Sequence, residues 1–398
     1  MQISGKKICI VVYGIVDGRS IKTARALSCA GAYVKIISYT YSRKSYAGES
    51  FQVEYHNPAA AVPSKIKLRP FRILENFTIK RIQTLVLQKK NGLFGTSKVA
   101  EDLTNESLDC ICAVNANVLE GCAIAAKNLA IPFVYEAYEY WPDHSKDRAY
   151  RLTSAERLFL RQSERKFAKD AKVFITVSHY LASQYQTALG LVKEPAVIFN
   201  APFTFAKHPT AVHSPLKIVC LGYFQAQRNL KNIFDAVAAL KGVELVFQGE
   251  GALEKWFKDE INVRGLHDKI SVLPMVPQDE VSDSIADYDV GIFCPQIYNE
   301  QMQGALPNKF FEYISAGLIP AMTKTKVFSS FPEFDSFGVF IDPESADTIR
   351  RDLLLLKDEG SLSQKKLNAY SAAKKYCGPL HIQSIANLYE NVFDEENL

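Results

Sequence analysis

The sequence predicts an α/β protein built from two parallel-sheet domains, and three observations carry that prediction. Lys7–Tyr13 is a β-rich run closed by Gly14, Ile21–Ala30 has helical spacing, and Ala32–Ser38 is strand-like again. That β-loop-α-β order is the order of a parallel sheet. A second series of the same kind starts at Leu216–Leu221, with Gly222 ending its first strand. Between the two series, residues 203–215 hold His, Pro, Thr and Ala without periodicity and read as a linker. At 398 residues and 47% hydrophobic, the chain can bury two cores of ordinary size.

Composition removes several function classes. A net charge of +4 does not by itself imply nucleic acid, and none is expected as a partner. No run approaches the roughly 18 apolar residues of a membrane span. Ile8–Val16 follows Lys6 and Lys7 but ends at Asp17 without a small-residue cleavage site, so it reads as a strand rather than a leader. The 8 cysteines form no C-x-x-C pair and sit mostly in apolar segments. They read as reduced, buried thiols of a cytoplasmic protein without zinc or disulfides.

In chain order, the loop Gly14–Ser20, with Asp17 and Gly18, lies at the carboxyl end of the first strand, where open α/β sheets bind ligands. It lacks G-x-G-x-x-G, which argues against a nicotinamide dehydrogenase; a plain tight turn fits it equally. From 63 to 98, Lys65, Lys67, Arg69, Arg72, Lys80, Arg81, Lys89, Lys90 and Lys98 are opposed by Glu75 alone, with Phe and Leu interleaved. This is either a surface for anionic lipid or a helix with a solvated charged face. Cys110–Val114 is a strand and Leu119–Leu129 a helix. Pro132–Tyr135 is the next strand, with Tyr138, Glu139 and Trp141 after it. Ala155–Ala171 is an amphipathic helix, and Val173–Ser178 a strand that leads to His179.

In the second half, Arg228-Asn229-Leu230 opens a helix at a βα mouth, where a guanidinium can donate in fork geometry to a diphosphate. Val243–Gln248 is a strand followed by the turn Gly249-Glu250-Gly251. Ile270–Met275 and Val276 form a further strand and loop. Asp287-Tyr288-Asp289 spells a D-x-D, but its setting at a helix end entering a strand reads as structural.

The stretch Leu306–Met322 organises the rest. Pro307 and Asn308 read as a helix start, with the Asn side chain as cap, and Gly317 as the stop. At about 100° per residue, Asn308, Lys309, Glu312 and Ala316 share one face and Phe310, Phe311 and Ile314 the other. A helix N-terminus with Lys309 beside it suits phosphate, and Glu312 one turn on suits a ribose diol. An ordinary helix with a solvated Lys–Glu pair fits the same spacing.

The run Asn308-Lys309-Phe310-Phe311-Glu312-Tyr313 through Gly317-Leu318-Ile319-Pro320 resembles the donor-site motif of retaining glycosyltransferases of family 4, which have the GT-B fold. The resemblance is weak over Ile8–Gly18 and extends from Pro132 to Val392. It implies two Rossmann-like domains with parallel sheets facing across a cleft. Residues 1–202 form the acceptor side, joined by helix 378–398, and residues 203–377 bind the nucleotide sugar.

The resemblance further implies transfer of a sugar, with retention, from a nucleotide-diphosphate sugar, expected to be a UDP-sugar. The acceptor would be a glycan or lipid-linked saccharide in cell-surface polysaccharide synthesis. Arg228, Lys309 and Glu312 would be catalytic. Gly14, Gly18, Gly222, Gly249, Gly251, Met275, Val276, Pro307 and Asn308 would line the donor. Asp17, Tyr138 and Glu139 would face the acceptor or sugar. No metal or other cofactor is expected, and the basic stretch would hold the enzyme at the inner face of the cell membrane.

Three departures stand out. Tyr138 replaces a His of the family, Tyr223 stands where a second cation is usual, and Gly304 replaces the first Glu of an E-x7-E pair. Glu300, Gln301 and Gln303 are alternatives for that last role. A GT-B nucleotide-sugar 2-epimerase and a catalytically silent sugar-nucleotide-binding subunit remain as other readings.

Overall fold

The computed structural model describes residues 2–40, 45–56, 93–141, 154–206, 208–357 and 360–394. Two compact units are present: Met1–Ile198 with Ile382–Leu398, and Phe199–His381. The sequence places these divisions after residues 202 and 377.

The first unit contains β1 (Lys7–Val12), α1 (Gly18–Cys29), β2 (Tyr33–Ser38), β3 (Gln52–Tyr55), α2 (Thr96–Thr104), β4 (Cys110–Val114), α3 (Ala116–Leu129), β5 (Phe133–Ala137), α4 (Ser154–Phe167), β6 (Val173–Thr176), α5 (His179–Leu189) and β7 (Ala196–Val197). Its strands form one parallel sheet in the order β3-β2-β1-β4-β5-β6-β7. The central strands β4 and β5 are buried along their whole length, which is why they read as continuous apolar runs rather than alternating ones. Helix α1 starts where Asp17 Oδ1 accepts from the Ser20 amide at 2.7 Å, and α5 where Ser178 Oγ accepts from Leu181 at 3.1 Å. His179 is thus the first residue of a helix.

The second unit contains β8 (Leu216–Leu221), α6 (Leu230–Ala238), β9 (Val243–Gln248), α7 (Glu254–Arg264), β10 (Ile270–Leu273), α8 (Val281–Ser284), β11 (Val290–Phe293), α9 (Glu300–Gly304), α10 (Asn308–Ser315), β12 (Ile319–Thr323), α11 (Lys326–Ser329), α12 (Phe334–Phe337), β13 (Val339–Ile341), α13 (Ala346–Lys357) and α14 (Leu362–Tyr376). Its sheet is also parallel, in the order β10-β9-β8-β11-β12-β13. A last helix, α15 (Pro379–Glu390), carries the chain back into the first unit. The architecture is α/β with two parallel sheets flanked by helices, as expected.

The stretch 203–215 is not a free linker. Phe205 packs on Tyr370 with ring centroids 6.3 Å apart, and the Ala206 amide donates to Ser315 O at 3.1 Å. His213 binds Asp289 through its backbone amide and its ring. The segment is anchored at single residues, so it leaves no periodic trace in the sequence.

Seven of the eight cysteines are buried, and Cys29 is exposed. Burial pushes the Cys220 thiol up to about 12. Among the described residues, no helix is long and apolar enough to cross a membrane. The basic residues from Lys65 to Lys90 lie outside the described residues. Lys98 is on α2 and pairs with Asp102 one turn later.

Candidate active site

In the second unit, the loops after β8, β9 and β10 are stitched together by backbone. The Gly222 amide donates to Gln248 O at 2.9 Å, Phe224 to Glu250 O at 2.7 Å, and Gly249 to Leu273 O at 3.0 Å. No side chain fits between the first two loops. A Cβ on Gly249 would collide with the Gly222 carbonyl, and one on Gly251 would stand 2.7 Å from the Phe224 nitrogen. Glycine is therefore required at both positions by close backbone approach. Met275 and Val276 follow β10, and Met275 is exposed.

Gly222 has φ +103° and a different neighbour. A Cβ there would meet Lys309 Nζ at 2.6 Å and Arg228 Nη1 at 3.7 Å. Two cations from separate elements thus converge beside one residue that has no side chain. Both also stand near the Phe293 ring at the end of β11, with Lys309 Nζ 5.3 Å and Arg228 Cζ 5.9 Å from its centroid.

Among the described residues, no carboxylate forms an ion pair with either cation. Burial, reinforced by Arg228, pulls the Lys309 ammonium down to about 8, while Glu312 opposes the shift. Burial also lowers the Arg228 guanidinium from its usual value. An uncompensated pair of this kind is a ready anion site.

Helix α10 presents Lys309 and Glu312. Its core side is wider than the spacing predicts, because Tyr313 and Ala316 are fully buried alongside Phe310, Phe311 and Ile314. The Tyr313 hydroxyl donates to Ile292 O at 3.0 Å and accepts from the Leu221 amide at 3.3 Å. Its ring lies where Gly291 would carry a Cβ. These contacts fix the helix against β8 and β11 at the height of the cations.

The expected cap is corrected. Asn308 is the first helical residue, Pro307 is the cap, and no side chain accepts there, because Pro307 offers none. Of the first amides of α10, Phe310 donates to the Pro307 carbonyl at 3.0 Å, and no cap side chain accepts from the others. Gly317 does stop the helix, with φ +73°.

Sequence reasoning passed over three contributors. Phe293 and Tyr313 look like ordinary core residues in their own elements. Asn229 sits at φ +61°, and its amide donates to Cys294 O at 3.2 Å and Pro343 O at 2.8 Å. An Asn directly after the candidate Arg was the available signal for a left-handed turn.

Of the alternatives for the missing Glu, Glu300 pairs with Lys326 at 3.1 Å, and Gln303 Oε1 accepts from the Lys326 amide at 3.0 Å. The D-x-D carboxylates are engaged structurally. Asp289 is fully buried and bound by Lys366 at 2.9 Å, by the Lys217 amide at 3.0 Å and by His213. Asp287 pairs with Lys217 at 2.7 Å and with His213 at 3.2 Å.

In the first unit, the predicted donor-side Gly14 and Gly18 and the predicted acceptor-side residues Asp17, Tyr138 and Glu139 make structural contacts. Asp17 caps α1, Gly18 is that helix's first residue, and Gly14 O accepts from Ser38 Oγ at 2.8 Å. The Glu139 carbonyl accepts from the Tyr185 hydroxyl at 2.5 Å. Tyr138 donates to Glu136 Oε2 at 2.8 Å, and its ring lies under the Arg19 guanidinium at 4.6 Å. Arg19 and Glu136 are 4% and 2% exposed, a buried pair with Nε 3.7 Å from Oε2. Tyr389 also donates to Glu136, at 3.2 Å. Trp141 packs on Leu160 of α4 and on Ala116.

Residues 204–375 match the family described as glycosyl transferases group 1. No curated protein matches the chain by sequence. Three solved structures share its fold over nearly its whole length. Anabaena Alr3699/HepE, in complex with UDP, is 14% identical over 98% of this chain and 99% of that one, with a TM-score of 0.70. A glycosyltransferase from Rickettsia africae ESF-5 is 13% identical over 98% and 99%, with a TM-score of 0.69. A mutant of S. aureus TarM, in complex with fondaparinux, alpha-GlcNAc-glycerol and UDP, is 10% identical over 98% and 100%, with a TM-score of 0.66. The fold is GT-B, and the matched domain on that fold supports a glycosyltransferase.

Proposed function

We propose that the chain transfers a sugar, with retention of configuration, from a nucleotide-diphosphate sugar to a glycan or lipid-linked acceptor. The supporting observation is the convergence of Arg228 and Lys309 beside Gly222 with no carboxylate to neutralise them among the described residues. UDP is the carrier of choice, because the similar structures of Alr3699/HepE and TarM are in complex with UDP. The diphosphate lies between the two cations and the N-terminus of α10, and Glu312 takes the ribose diol. Charge that grows on the leaving diphosphate meets preorganised donors. That positive charge takes the part a divalent metal would otherwise play. A polysaccharide acceptor at the inner membrane face, reached through the basic stretch, completes the proposal.

Calorimetry with UDP tests the donor site. Arg228→Ala and Glu312→Ala each weaken UDP binding by about 2 kcal/mol, roughly thirtyfold. Unchanged affinity in both variants overturns the donor assignment. Transfer that stops with EDTA and returns with Mn²⁺ overturns metal independence.

A further inference from the structure

We propose that the donor site takes up a proton when a diphosphate binds, and that the Lys309 amine receives it. The inference rests on the donor assignment above but goes beyond it, since a diphosphate could equally bind to cations that are already fully charged.

The geometry is the argument. Lys309 Nζ and Arg228 Nη1 approach the same point beside Gly222, at 2.6 Å and 3.7 Å from where its Cβ would stand. The Phe293 ring offers both cations an apolar surface. The groups that face Lys309 are few. Arg228 comes from the loop after β8 and repels it. Cys220 comes from β8, and its thiol stays neutral because burial pushes it up to about 12. Glu312 comes from the helix of Lys309 itself and, among the described residues, is the one neighbouring carboxylate with a stabilising effect on the ammonium. The balance favours loss of the proton: burial is the largest effect, Arg228 the next, and the amine falls to about 8.

Only one of the two cations can yield. A guanidinium stays charged across the physiological range, whereas a lysine amine releases its proton when it is desolvated beside another cation. In the empty site the repulsion is relieved by a fraction of neutral Lys309. A bound diphosphate reverses the local field and restores the full ammonium. Binding then consumes a proton, and affinity must fall as pH rises through the amine's value in the empty site, by up to about tenfold per pH unit.

The test is isothermal calorimetry of UDP binding to the full chain between about pH 7.5 and pH 9, in buffers of different ionisation enthalpy. There the terminal phosphate of UDP is already ionised, since its second pKa is near 6. The expected result is an apparent enthalpy that varies with the buffer, corresponding to about half a proton taken up near pH 8 and more above it. Lys309→Arg keeps the charge and cannot titrate, so it binds UDP without a buffer dependence. If that variant does not bind, Lys309→Gln supplies the same comparison at lower affinity.

An enthalpy independent of buffer in the unaltered protein overturns the proposal. So does uptake that persists in the Lys309 variants. If UDP fails to bind the unaltered protein at all, the donor assignment itself falls, and that outcome is distinguishable from binding without proton uptake.

Discussion

The side-chain amide of Asn229 donates to the Pro343 carbonyl at 2.8 Å, tying the Arg228 turn to the loop after β13. The same amide reaches Cys294 O at 3.2 Å, next to the ring on which both cations stand. Asn229 Oδ1 accepts in turn from Asn232 at 2.8 Å. Asn229→Gly keeps the left-handed turn but loses these bonds, each worth about 1 kcal/mol. It should leave the fold intact, lower the melting temperature by a few degrees, and weaken UDP binding about tenfold, because Arg228 loses its fixed position. Asn229→Ala adds the strain of φ +61° and should melt lower still. Thermal melts and UDP titrations of the two variants check both statements.

The parts of the candidate second-unit site were legible in the sequence where each leaves a local mark. Gly317 stops a helix, Gly249 and Gly251 permit close backbone approach, and Lys309 and Glu312 keep helical spacing. What sequence reasoning missed depends on residues distant in sequence. Tyr313 is 21 residues from the Ile292 carbonyl it bonds, and Arg19 is 179 from the Ile198 carbonyl. No window on the chain relates such residues. The stretch 203–215 was misread for the same reason, since its order comes from Tyr370, Ser315 and Asp289 rather than from its own composition. Asp17 shows a different gap: its place in a loop did not reveal that its Oδ1 caps a helix by accepting from the Ser20 amide.

A pH dependence of stability follows from Glu164, which is 1% exposed on α4. Its Oε1 accepts from Tyr135 at 2.6 Å and from Tyr185 at 3.2 Å, yet burial outweighs these bonds and pushes the carboxyl up from 4.5 to about 8. The folded state therefore holds a proton that the unfolded state has released. The stabilisation is complete below 4.5 and is lost as pH rises toward about 8. The slope is at most about 1.4 kcal/mol per pH unit. Glu164→Gln resembles the protonated form and lacks this loss. Denaturant melts should find the variant gaining on the unaltered protein from about pH 5 to pH 8. A constant difference across that range refutes the assignment.

Lys366 and Asp289 are 1% and 0% exposed and lie 2.9 Å apart. Lys366 also donates to Thr210 Oγ1 at 3.0 Å and to Tyr288 O at 2.8 Å. Lys366→Met fills similar space but strands the buried carboxylate and two acceptors, so a loss of about 3–5 kcal/mol is expected. Thr210 belongs to the entry segment of the second unit. Limited proteolysis should therefore cut within 203–215 of the variant before the rest of that unit. Equal protection of the segment in both proteins contradicts this.

Tyr138 stands where the resembling family carries His, and the structure gives its phenol a partner within the first unit. The hydroxyl donates to Glu136 Oε2 at 2.8 Å, and the ring supports the Arg19 guanidinium at 4.6 Å. Burial, helped by the Glu136 charge, pushes the phenol well above its usual value, so it remains a donor at any working pH. Tyr138→Phe keeps the ring and its contact with Arg19 while removing one of the two phenols that donate to a buried carboxylate. A cost of about 1–3 kcal/mol is expected, because Glu136 keeps Tyr389 and Arg19 but leaves one acceptor short. UDP affinity should not change, since Arg228, Lys309 and Glu312, which the proposed function gives to UDP, lie in the second unit. Tyr138→Leu removes the ring as well and should cost about 1 kcal/mol more, the contribution of a buried cation–π contact. Paired melts and UDP titrations of the two variants decide the matter. If Tyr138→Phe is as stable as the unaltered protein, the hydrogen bond to Glu136 does not support the fold, and the phenol is left for a substrate.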